Sequence, residues 1–79
     1  MFKTDIEFSK NTLYITVKGM ANRKNIIELK RKLYYILNEY GTMDIMIDIK
    51  EVVALDKDSF YDMLDDYDIK YGGNLSVVE

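Results

Sequence analysis

The chain has 79 residues, enough for one small domain, and 48% of them are aliphatic or aromatic, which excludes a disordered protein. Its 11 basic and 14 acidic residues give a net charge of −3, which argues against nucleic acid as a partner. The absence of cysteine and histidine excludes disulfides, thiol nucleophiles and zinc-finger spacings, and it removes the commonest general base.

Two alternating segments at the start of the chain predict a β-hairpin. We place the second strand at Thr12–Lys18, with Gly19 as its end, and the polar residues 9–11 form the connection. By period 2, the side chains expected to point inward are Phe2, Ile6, Phe8, Leu13, Ile15 and Val17.

The next segment has the periodicity of an amphipathic helix. Asn22 is the expected N-cap, with Asn25 as the alternative if the helix begins later, and Gly41 is the expected left-handed stop. Lys30 falls within the apolar stripe, so we expect its stem to lie along the core edge with its ammonium group in water. The other members of the stripe are Ile26, Leu29, Leu33, Ile36, Leu37 and Tyr40.

A buried strand, a short loop and a second amphipathic helix follow. The helix opens on Asp56, whose carboxylate can act as an N-cap by accepting a hydrogen bond from the N–H of Asp58 or Ser59. The side chains expected to be buried in the strand and helix are Ile45, Ile47, Ile49, Phe60, Met63, Leu64, Tyr67 and Tyr71.

The element order β-β-α-β-α-β predicts an α/β fold with a four-stranded mixed sheet and two helices on one face. The last strand is expected at 74–78, after glycines 72 and 73 stop the second helix. Each β-α-β step should be a right-handed crossover, which places both helices on the same side. The other face should be mostly polar, as in a sheet covered on one side only, and it carries Lys3, Asp5, Glu7, Tyr14, Thr16, Lys18, Asp44, Met46, Asp48, Asn74 and Ser76.

Four segments carry a resemblance to a known family: Leu13–Gly19, Met46–Val52, Leu55–Phe60 and Tyr71–Leu75 with its glycine pair. In this order and at this spacing they resemble the STAS family, the fold of anti-sigma-factor antagonists. The resemblance implies a single STAS-like domain at 1–79. Because the family usually continues with another helix and strand, we expect a minimal or truncated member whose last strand is an open edge.

The resemblance also implies a partner-binding site at the start of the second helix. The family's phospho-acceptor is the first serine after the aspartate, and that position matches Lys57, while its second serine and glycine match Asp58 and Ser59. The usual phosphorylation switch is therefore not expected, and Ser59 is the hydroxyl left near the site for a kinase. The expected partner-binding residues are Met20, Asn22, Asp56, Lys57, Asp58, Ser59, Tyr61 and Asp62.

The family's role implies a protein partner, such as an anti-sigma-factor kinase-like protein in a bacterial signalling pathway that regulates transcription. The alternative is a structural or oligomerising module, for example a homodimer, that associates through the open sheet face or the C-terminal edge strand. Helix capping and the helix dipole alone also explain the acidic start of the second helix.

The residue patterns predict no enzyme, cofactor or metal. No known triad or phosphate-loop spacing occurs. The aspartates at 62, 65, 66 and 68 are spread along a helix, which predicts a solvated acidic face rather than a cation site. No apolar run approaches about 18 residues and no signal-like segment opens the chain, so we expect a cytoplasmic protein with no membrane partner.

Overall fold

The computed structural model describes residues 2–41 and 44–79, and its elements follow the predicted order. They are β1 (Phe2–Ser9), β2 (Thr12–Ala21), α1 (Arg23–Tyr40), β3 (Asp44–Leu55), α2 (Lys57–Tyr71) and β4 (Leu75–Val78). The strand order is β1-β2-β3-β4, with β1 antiparallel to β2 and with β2, β3 and β4 parallel. The predicted four-stranded mixed sheet is confirmed, and β4 is an edge strand.

The hairpin between β1 and β2 turns through two residues. Lys10 and Asn11 both have positive φ angles, 50° and 63°. This is the backbone of a type I′ turn, whose twist matches the right-handed twist of the strands beside it. The turn sets the register in which Phe8 pairs with Leu13 and Ile6 pairs with Ile15.

Two predicted boundaries at the ends of β2 and β3 are wrong. β2 continues through Gly19 (φ 88°) to Ala21, and β3 continues through the expected loop to Leu55. β3 carries one extra residue at each of two register shifts against β2. A bulge of this kind bends a strand without ending its pairing. Positions that lose the period-2 pattern therefore still belong to the sheet.

The core lies between one face of the sheet and both helices. Leu33 of α1 has none of its surface exposed, and neither has Ile47 of β3. The periodicities predicted most of the buried set, which comprises Leu13, Ile15, Val17, Ala21, Ile26, Leu29, Leu33, Leu37, Ile45, Ile47, Phe60, Met63 and Tyr67. The helices therefore cover the face that the alternating strand patterns identified as apolar.

Two residues predicted to be buried are exposed instead. Phe8 exposes 60% of its surface and Tyr40 exposes 77%. Together with Ile6, Leu13 and Ile36 they line an apolar cleft of about 520 Å³. Because β1 is an edge strand and Tyr40 ends α1, neither side chain has a facing element to cover it.

We expect Leu33→Ala to lower the free energy of unfolding by about 2–5 kcal/mol, because the truncation leaves a cavity in the core. Tyr35→Ala on the same helix is the control, since Tyr35 is 66% exposed. It should change the free energy by less than about 0.5 kcal/mol. Urea denaturation followed by circular dichroism measures both variants, and equal losses would contradict this placement of the core.

Candidate functional site

The predicted site residues come from two chain segments that the pairing of β2 with β3 brings together. Met20 and Ala21 at the end of β2 lie opposite Ala54 and Leu55 at the end of β3. The backbone N–H of Asp56 also donates a hydrogen bond of 2.9 Å to the carbonyl of Ala21. The first turns of α1 and α2 therefore begin at the same edge of the sheet, which is the one formed by the carboxyl ends of the parallel strands. Ligand sites in α/β layers commonly form at this position.

Asp56 is the N-cap of α2, as predicted. Its Oδ1 accepts a hydrogen bond of 3.3 Å from the N–H of Ser59, and its carbonyl accepts one of 3.0 Å from the N–H of Phe60. The structure thus selects Ser59, rather than Asp58, as the group that the carboxylate caps. Asp56 has a structural role because it holds the first turn of α2 against β2.

Asn22, rather than Asn25, is the N-cap of α1. The Oδ1 of Asn22 accepts a 2.8 Å hydrogen bond from the N–H of Asn25. The side-chain amide of Asn25 in turn donates a 2.8 Å hydrogen bond to the carbonyl of Met20. These two side chains fix the path of the backbone from the end of β2 into α1.

Several predicted site residues face outward at this edge. Met20 exposes 49% of its surface and Tyr61 exposes 53%. The Tyr61 ring contacts the ring of buried Phe60 edge-on, with 5.7 Å between the ring centroids. Lys57 and Asp58 in the first turn of α2 are also exposed. The edge therefore presents apolar and charged groups side by side.

Ser59 and Asp62 line a different part of the surface. Both contribute to a cleft of about 500 Å³ between α1 and α2, which is also lined by Arg23 and Asp66. Ser59 is only partly exposed, whereas Lys57 and Asp58 are exposed. The residues at the start of α2 are thus divided between two surfaces. Lys57 and Asp58 lie at the outer edge, whereas Ser59 and Asp62 lie at the cleft between the helices.

Val53 also belongs to this edge, although the sequence motifs did not identify it. Val53 is the extra residue at the second bulge of β3, since Gly19 pairs with Val52 and Met20 pairs with Ala54. It exposes 83% of its surface. The signal for it was the apolar run 52–55, which breaks the period-2 alternation and so indicates a bulge.

An ion pair crosses the cleft between the helices. Lys30 Nζ donates a hydrogen bond to Asp66 Oδ2. This hydrogen bond raises the pKa of Lys30 and lowers the pKa of Asp66. The Lys30 ammonium group also lies 5.6 Å from the centroid of the Tyr34 ring. Lys30 therefore takes the position predicted for it, at the edge of the core.

Residues 2–41 and 44–79 contain no group of three acidic, histidine or cysteine side chains placed to hold a metal ion. Neither helix in these ranges is long and apolar enough to cross a membrane.

The fold has a counterpart among solved structures. The anti-sigma factor antagonist SpoIIAA, in its unphosphorylated form, matches 98% of this chain and 71% of its own chain, with a TM-score of 0.76 and 11% sequence identity. Scans against family models and curated proteins returned no match. The structural likeness shows that the chain has a STAS-like fold, as the sequence motifs implied.

Replacement of the α2 cap should lower stability. We expect Asp56→Ala to reduce the free energy of unfolding by about 1 kcal/mol, because the N–H of Ser59 loses its acceptor. Asp56→Asn is the matched control, since an asparagine oxygen can accept the same hydrogen bond. Chemical denaturation measures both, and an Asn variant as unstable as the Ala variant would contradict the capping role.

The lowered pKa of Asp66 predicts a specific dependence of stability on pH. The Asp66–Lys30 hydrogen bond contributes stability above about pH 4, the ordinary pKa of aspartate, and this contribution is lost as the pH falls through the lowered value. Asp66→Asn should therefore lose less stability than the wild type between about pH 5 and pH 3. Asp65→Asn is the control, and urea midpoints across this range measure the difference. Identical acid profiles for Asp66→Asn and the wild type would contradict the prediction.

Proposed function

We propose that this chain is a non-catalytic, cytoplasmic protein-binding module of a bacterial regulatory pathway, with a role like that of an anti-sigma-factor antagonist. The partner binds a surface that we call the rim, formed where β2 and β3 end and α2 begins. The rim consists of Met20, Val53, Lys57, Asp58 and Tyr61, and it extends to Asp62, which also lines the cleft between α1 and α2. Asn22, Asp56 and Ser59 form the framework beneath it.

The observation that carries this proposal is the exposure of one apolar side chain on each of the three elements that meet at the rim. Val53, Met20 and Tyr61 expose 83%, 49% and 53% of their surfaces. Protein-binding surfaces typically place a few aromatic and aliphatic anchors among polar groups. Lys57 and Asp58 supply such polar groups beside the anchors. The rim thus has the composition of a small protein-binding surface.

The backbone beneath the rim is well held, which favours binding. The caps at Asn22 and Asp56, together with the hydrogen bond from Asp56 N–H to the carbonyl of Ala21, join both helix starts to β2. A surface that is already ordered loses less conformational entropy when a partner binds.

The site works, on this proposal, without phosphorylation at the family's usual position, which Lys57 occupies. Asp58 in the first turn supplies one negative charge at the positive end of the α2 dipole. A phosphoserine carries nearly two charges and three acceptor oxygens, so Asp58 imitates it only in part. Ser59 is the remaining hydroxyl, and its N–H is already engaged by the Asp56 cap.

The alternative surface is the open face of the sheet. Tyr14 and Met46 are register partners there and expose 41% and 37% of their surfaces. Both are less exposed than the apolar residues of the rim. The neighbouring edge strand β4 has four residues, and short edge strands are poor templates for pairing with another chain.

A pull-down from the native cytoplasm tests the rim with matched variants. The rim variant is Val53→Asp/Asp58→Arg, and the control is Ile69→Asp/Asp68→Arg at the opposite end of α2. Val53 and Ile69 are equally exposed, at 83% and 82%, and each pair changes charge identically. Circular dichroism first establishes that all proteins are folded. We expect wild type and control to capture a partner that the rim variant loses.

A partner retained equally by both variants would overturn the placement of the site at the rim. Capture of a kinase-like ATPase by wild type and control would support the role of an anti-sigma-factor antagonist. Phosphorylation of this protein at Ser59, detected by mass spectrometry, would show that a phosphorylation switch operates at the remaining hydroxyl instead of at the family's usual position.

A further inference from the structure

The two helices that cover the sheet carry opposite charges. α1 contains five basic and two acidic residues, for a net charge of +3, whereas α2 contains two basic and five acidic residues, for a net charge of −3. Both helices connect parallel strands of one sheet, so they lie side by side and run in the same direction. The layer that they form is therefore basic along one half and acidic along the other.

Most of these charged side chains form no ion pair within residues 2–41 and 44–79. In the part that the structure describes, the ion pair between α1 and α2 is Lys30–Asp66. The exposed charged side chains that form no ion pair within these ranges are Arg23, Lys24, Glu28, Arg31, Lys32 and Glu39 on α1, and Lys57, Asp58, Asp62, Asp65, Asp68 and Lys70 on α2. Their sum is still positive on α1 and negative on α2. Ion pairs within the chain therefore do not explain why basic residues predominate on α1 and acidic residues on α2.

Apolar side chains are exposed among these charges. On α1, Ile27 exposes 40% of its surface and Tyr35 exposes 66%. On α2, Tyr61 exposes 53% and Ile69 exposes 82%. Protein interfaces combine apolar anchors of this kind with surrounding charges.

We propose that the helical layer is the interface of a homodimer in which α1 of each copy packs on α2 of the other. A surface that is basic on one half and acidic on the other is complementary to itself. A two-fold axis parallel to the helices places α1 on α2 of the second copy. A two-fold axis in the interface plane but across the helices places α1 on α1, which brings like charges together.

The register of the chain supports this arrangement. A two-fold axis parallel to the helices leaves each residue of the second copy at the same height along the helices as in the first copy. Lys30 bonds to Asp66, so a residue of α1 is level with a residue 36 positions later on α2. Arg31 is then level with the segment between Asp65 and Asp68, and Tyr35 lies within about one turn of Ile69. Opposite charges and apolar groups therefore meet at the same heights.

The size of the layer sets the expected strength of the dimer. The molecule measures 30 × 23 × 19 Å along its principal axes. Even a face of 30 × 23 Å offers somewhat less than the roughly 800 Å² per partner of a standard interface. We therefore expect a reversible dimer that depends on protein concentration and that weakens as salt screens the charges.

Charge reversal on each helix tests the dimer, and neither change touches the rim. Arg31→Glu and Asp65→Lys replace exposed residues that lie outside the core. In a two-fold interface each change occurs twice, so each variant alone should dimerise at least about tenfold more weakly than the wild type. An equimolar mixture of the two variants should form a heterodimer, because both contacts then join opposite charges. Sedimentation equilibrium measures all three samples.

Glu7→Lys on the open sheet face is the control, and it should dimerise like the wild type. A wild-type chain that stays monomeric at about 1 mM would overturn the proposal. Variants that dimerise normally, or a mixture that fails to restore the dimer, would overturn it as well. A dimer lost in the Glu7 variant would place the contact on the sheet face instead. Because these variants leave Val53 and Asp58 intact, failure here does not decide whether the rim binds a partner.

Discussion

The parallel pairing of β2 with β3 is the interaction on which the rest of the structure depends. It joins the two most buried strands, with Leu13 opposite Ile45 and Ile15 opposite Ile47. Parallel strands need a crossover connection, which α1 supplies while it covers the apolar face. The same pairing brings Met20 beside the start of α2. The core and the rim are therefore consequences of one set of backbone hydrogen bonds.

The two bulges in β3 connect this pairing to the proposed function. A regular strand would alternate its side chains strictly between the core and the open face. Each extra residue interrupts the alternation, and at the second interruption Val53 is left unpaired and exposed. Bulges commonly redirect side chains near functional sites. Here the irregular backbone provides the most exposed apolar group of the rim.

The attraction between the basic α1 and the acidic α2 acts within the chain and, in the proposed dimer, also between chains. Lys30–Asp66 already joins the basic helix to the acidic helix inside the molecule. The proposed dimer repeats this kind of contact with the charges that remain exposed. The rim and the helical layer share Asp58, Tyr61 and Asp62, so partner binding and self-association compete for these three residues if both proposals hold.

The sequence by itself determined the elements, the mixed sheet and most of the core, because the periodicities of residues such as Ile45, Ile47 and Leu33 reflect local geometry. It also indicated both helix caps, since Asn22 and Asp56 act on backbone groups within three residues, but the structure decided between Asn22 and Asn25 and between the N–H groups of Asp58 and Ser59. Only the tertiary structure decided that Phe8 and Tyr40 are exposed, because burial there depends on whether another element faces them. It likewise decided the exposure of Val53 and the position of Ser59 in the helix cleft, because these depend on the register between strands and on how the two helices pack.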